Sequence, residues 1–161
     1  MKTSSNRCVR TTERGGVAVE AAFLIPIIFL FLAVPLFLAR VFWYYSVAEK
    51  AAHDGARFLS QASQAEIREV AGGAQVAVAT LAEAIVDAEL DEIKPGLVGH
   101  GSVNTVLCDN RKCGGLNVPS IIYVGVEIRV RDRFFGPITD SLFGEDGLRL
   151  TADVTMRYAG N

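Results

Sequence analysis

Val17 to Ala39 is a run of 23 residues carrying a single charge, on Glu20. As a helix it reaches about 35 Å at ~1.5 Å per residue, enough to cross a hydrocarbon core of about 30 Å. The run therefore predicts a membrane-spanning helix. Arg40 closes it, and Phe42-Trp43-Tyr44-Tyr45 follow. Such rings suit the interface, where the apolar body meets lipid and the polar edge meets water. Ahead of the run lie Lys2, Arg7, Arg10 and Arg14 against Glu13. That basic excess predicts a cytoplasmic N-terminus, with everything after the anchor on the far side. A cleaved secretory signal would be shorter, with about 7–15 apolar residues and a small-residue exit. This run is longer and leaves through Arg40-Val41-Phe42-Trp43. Membrane lipid is thus the first partner the chain predicts. Pro26 and Pro35 fall inside the run, and each withdraws a backbone donor and can kink the helix.

Glu20 needs a reason. An acid at mid-bilayer costs about 2.5–3.5 kcal/mol on insertion scales. Glu20 lies near the cytoplasmic end, so its carboxylate can reach the head-group region. A second reading begins from Arg14-Gly15-Gly16-Val17-Ala18-Val19-Glu20. A cut after Gly15 would give Gly16 a free amine one helical turn from Glu20, close enough to pair within a chain or between neighbours. Composition leaves both open.

The segment Arg14-Gly15-Gly16-Val17-Ala18-Val19-Glu20-Ala21-Ala22-Phe23-Leu24-Ile25-Pro26 resembles the start of TadE-like minor pseudopilins of the tight adherence (Tad/Flp) pilus system. The shared pattern is a short basic leader, a glycine, a glutamate as fifth residue after the cut and a proline six residues later. It departs at Ala21, where related pilins often carry an aromatic residue. Ala51-Ala52-His53-Asp54-Gly55-Ala56-Arg57 is similar to the Ala-Arg-rich stretch that follows the anchor in that family. The resemblance implies a bacterial inner-membrane protein cut between Gly15 and Gly16 by a prepilin-type peptidase. It also implies a minor subunit working with other pseudopilins and the inner-membrane assembly platform, with Glu20 offsetting the new amine of Gly16.

The rest of the chain predicts an α+β domain. Residues 46–70 continue the helix as a stem, with Val47, Ala51, Ala52, Gly55, Phe58, Leu59, Ala62 and Ala65 spaced by threes and fours along one side. Gly72-Gly73 breaks it. A second helix fits Gln75 to Ile93, with Val78, Leu81, Ala82, Ile85, Leu90 and Ile93 as its apolar stripe, stopped by Lys94-Pro95-Gly96. Its acids read as a solvated face. Period-two alternation over 121–131 and 148–157 predicts two antiparallel strands, each with one face on a core. Val103 to Leu107 offers a third, and Ile138–Phe143 a short helical turn. Helices before strands on a long N-terminal helix give a pilin-like outline. The expected parts are a leader (1–15), a transmembrane helix (16–45) and a small periplasmic domain with an antiparallel sheet (46–161).

Cys108 and Cys113 stand in a polar, turn-like segment. Outside the cytoplasm oxidation is favoured, so a local disulfide is expected. Zinc would need two further ligands, and His53 and His100 are not clustered with the cysteines. Redox chemistry normally uses the tighter Cys-x-x-Cys spacing. Cys8 belongs to the leader. The sequence contains no nucleophile elbow, phosphate-binding glycine loop or His-Glu zinc motif. Gly99-His100-Gly101-Ser102 reads as a flexible turn. Arginines 129, 131, 133, 149 and 157, interspersed with Glu127, Asp132 and Asp153, read as cross-strand pairs. The expectation is a protein that is not an enzyme and has no cofactor or metal. A net charge of −2 from 16 basic and 18 acidic residues predicts no nucleic-acid partner. The alternative to a pilus-assembly subunit is a permanently anchored periplasmic binding or sensing module.

Overall fold

In the computed structural model the described residues are 14–68, 76–115, 117–131, 141, 144 and 147–160. The leader before Arg14 with its Cys8, the Gly72-Gly73 break, and the Ile138–Phe143 turn apart from Ser141 lie outside them. So do Arg133 and Asp132. The chain forms two units, Met1–Leu38 and Ala39–Asn161.

The first unit is helical from Arg14 onward, as the beginning of α1 (Arg14–Gln61). Most of its large apolar side chains are exposed; Phe23 is 72% and Phe31 75% accessible, while Phe37 is half-buried. Side chains so placed gain nothing from self-burial. A lipid bilayer would remove them from water. Among the described residues one helix is long and apolar enough to cross a membrane.

Among the described residues of the second unit, two longer helices pack on a three-stranded antiparallel sheet. The remainder of α1 supplies Ala48, Ala51, Ala52, Ala56 and Leu59, all at most 1% exposed. Small side chains let α1 come close to α3 (Ala77–Leu90). At Gly55 an added Cβ would lie 2.7 Å from Val86 Cγ2 and 3.6 Å from both Ala82 O and Val124 Cγ1. Helix, helix and sheet meet there. A 3₁₀ turn, Lys94–Gly96, leads into β1 (Leu97–Cys108), followed by β2 (Ile121–Val130) and β3 (Leu148–Arg157) in the order β1-β2-β3. Ile122, Val124, Val126, Ile128 and Val130 of the central strand are all buried. Opposite them in register stand Met156, Val154, Ala152, Leu150 and Leu148 of β3. Fully burying each Val or Ile is worth about 1.5–3 kcal/mol, so this row is the centre of the core. On the outer face Arg129 and Arg149 are directly opposed, and Glu127 lies 3.7 Å from Arg129 and 2.7 Å from Arg149.

Four expectations change. The stem helix stops at Gln61 instead of reaching residue 70. Ser63 then caps a short α2 (Gln64–Ile67) through a capping box in which its hydroxyl accepts from Glu66 N and the Glu66 carboxylate accepts from Ser63 N. Ala65, expected on the buried stripe, is exposed. The second helix is shorter at both ends and buries Val78, Ala79, Ala82, Val86 and Leu90. At about 100° per residue that set centres between Ala82 and Val86, which leaves Leu81 roughly 120° away and 52% exposed. Finally, Gly99-His100-Gly101-Ser102 is strand and not a turn: β1 begins at Leu97. Leu97 pairs with Val130 and Ser102 with Ile128, so five steps along β1 oppose two along β2. Glycines on either side of His100 allow such a bulge.

Candidate assembly site in the anchor helix

Gly15 and Gly16 lie in the first turn of α1, and Glu20 follows one turn later on the same face as Gly16. Glu20 is exposed, and a Cβ built on Gly16 would meet nothing within 4 Å. Crowding therefore does not explain the glycine. What the two positions share is a clear surface at the start of a helix whose first amides lack intrahelical partners. α1 continues through Pro26 and Pro35. Each proline removes the N–H that would bond the carbonyl four residues back, at Ala22 and Phe31, leaving two weak points in the span.

Past the run, within the second unit, the aromatic residues divide. Phe42, Trp43 and Tyr45 are exposed, whereas Tyr44 is buried. Arg40 donates to the Tyr44 hydroxyl from Nε at 3.2 Å and from Nη2 at 3.0 Å, with its guanidinium 5.5 Å from the ring centre. The Tyr44 ring lies against the 3₁₀ turn, where a Cβ on Gly96 would overlap the hydroxyl. Tyr44, expected as one ring of an interfacial cluster, is instead a core residue. Its partner Gly96 is 52 positions along the chain and left no local signal.

Charged side chains tie the elements at the surface. Lys50 of α1 donates to Glu89 of α3 at 2.5 Å, which raises the lysine pKa. Lys94 pairs with Asp91 and is likewise raised. The Glu66 carboxyl is held below its ordinary range by the Ser63 hydroxyl and then by the Ser63 amide. At the other end of α1 the last carbonyls are taken up by the C-terminal segment. Ala159 N–H donates to Ser60 O at 2.9 Å and the Tyr158 hydroxyl to Ala62 O at 2.7 Å. Burial raises the Tyr158 pKa.

Cys108 and Cys113 form a disulfide. Between them Asp109 and Asn110 adopt left-handed φ values of 47° and 65°, the signature of a two-residue hairpin turn closed by Cys108 and Arg111. The Asp109 carboxylate accepts from Ser120 N at 3.0–3.1 Å and from Ile121 N at 2.9 Å, so one aspartate fixes both ends of the loop. The Asp-Asn pair directly after a strand was the available signal for that turn.

Residues 15–57 match the family model described as TadE-like protein. No curated protein and no solved structure matches the chain. The matched segment runs from the two glycines through Glu20 and both prolines to Arg57 of the stem.

Proposed function

We propose that this TadE-like chain is a minor pseudopilin, a structural and assembly component of the Tad pilus and not an enzyme. A prepilin peptidase cuts it between Gly15 and Gly16. The observation that carries the reading is Glu20, an exposed carboxylate in an apolar helix, one turn beyond an uncrowded Gly16. A charge in such a run is costly unless matched. Cleavage creates the match, because the amine released at Gly16 is cationic and within reach of Glu20 of the same or an adjacent subunit. The anchor crosses the bacterial inner membrane once, N-terminus inside, and the second unit lies in the periplasm. There it works with other pseudopilins and the inner-membrane assembly platform.

Two measurements test this together. Mass spectrometry of the protein from cells with an active prepilin peptidase should find a chain beginning at Gly16. An intact Met1 chain would favour the permanently anchored binding or sensing module instead. Glu20→Ala should still be cut but should reduce pilus assembly, and normal assembly in that variant would falsify the pairing role.

A further inference from the structure

The loop between β1 and β2 and Ile67 of α2 border an open cavity of about 460 Å³, whose polar lining includes Asp109, Arg111, Lys112 and Asn117 beside Gly114 and Gly115. Small-molecule sites fall at about 300–1,000 Å³. This loop is built to hold its form. The disulfide closes one side, Asp109 closes the other, and Gly114 and Gly115 adopt φ values of 123° and 128° that favour glycine. Added bulk is not the constraint at Gly115, since a Cβ there would meet nothing within 4 Å. Arg111 and Lys112 are both exposed, and neither pairs with a carboxylate among the described residues. The Asp109 carboxylate also lines the cavity, but it accepts from the Ser120 and Ile121 amides, and the two cations outnumber it.

We infer that this cavity binds an acidic monosaccharide of the uronic-acid class. An arginine and a lysine side by side supply the charge-assisted donors a carboxylate requires. The Asn117 amide and the glycine backbone offer donors and acceptors together, which suits hydroxyl groups that do both. An amine-bearing ligand would find only the engaged Asp109.

The test is calorimetric titration of the full chain in lipid nanodiscs with sodium glucuronate, glucose and sodium acetate. Glucuronate should bind at least tenfold more tightly than either of the others. Arg111→Gln with Lys112→Gln should weaken it at least tenfold while leaving the near-ultraviolet circular dichroism unchanged, and reducing the disulfide should also weaken it. Glucuronate that fails to saturate, acetate that binds equally well, or a double variant with unchanged affinity would each overturn the proposal. Glu20→Ala should bind glucuronate like the parent chain, so the outcome here is independent of the outcome for pilus assembly.

Discussion

A side chain at Gly55 has nowhere to go. Its first carbon would already sit 2.7 Å from Val86 Cγ2, and Val86 is a stiff, fully buried residue. Gly55→Leu should therefore lower stability by roughly 1–3 kcal/mol from overpacking, despite leucine's better helix propensity. Chemical denaturation followed by near-ultraviolet circular dichroism measures it, and an unchanged midpoint would remove the close approach of α1 and α3. Tyr158 gives a pH-dependent counterpart. Tyr158→Phe loses the hydrogen bond to Ala62 O and should cost about 1 kcal/mol at neutral pH. Burial raises the phenol's pKa, so the folded state holds that proton more firmly than the unfolded state does. Its contribution is complete below the ordinary tyrosine value of about 10 and disappears as pH rises through the higher folded value. The gap between parent and Phe variant should accordingly close in alkaline buffer; a constant gap would contradict the assignment. Residues of this kind divide by legibility. Glu20 announced itself because a lone charge in an apolar run is visible locally. Tyr44 and Tyr158 did not, because Gly96 and Ala62 come to them through the fold.

The strands were legible because a half-buried sheet writes period two into the chain, and β2 and β3 follow it over nearly their full length. Helix ends were less so. The stem's small-residue pattern carries past Ala62, but Ser63 and Glu66 together favour starting a new helix there. Of the stripe expected on α3, Val78, Ala82 and Leu90 are buried, but large side chains dominate apolar spacing and point to Leu81. Packing against α1 at Gly55 keeps Ala82 and brings in Val86 in place of Leu81. The loop after β1 behaves as an element in its own right, held by a disulfide of sequence separation 5. Chain-entropy reasoning gives so small a ring about 2 kcal/mol. Replacing Cys108 and Cys113 by serine should lower unfolding stability by about that amount, and reductant on the parent protein should reproduce most of it. A loss far above this would mean that the loop supports the sheet beyond closing itself.

Taken whole, the molecule has two solvents. Residues from Val17 to Leu38 expose nearly every large apolar side chain, while the second unit encloses a core built on Leu59, Ile67, Leu90, Ile122 and Ile128, none more than 1% exposed. The sequence distinguishes the two regimes because their patterns differ in kind: a continuous apolar run against alternation and stripes. Where one gives way to the other is set by Arg40 and the rings after it. Tyr44 turns into the folded unit, and Trp43, 44% exposed, does not. Trp43 is the one tryptophan of the chain, so its fluorescence reports a single depth. If the apolar run spans the bilayer and Arg40 marks its end, the indole belongs at the head-group boundary. In vesicles, lipids brominated near the carbonyl end of the acyl chain should quench it more than lipids brominated near the terminal methyl. Stronger quenching from the deep bromines would place Trp43 inside the hydrocarbon and Arg40 deeper still, and would shift the start of the span away from Gly16 and Glu20. Charge pairing at the membrane's inner face would then lose its geometric basis.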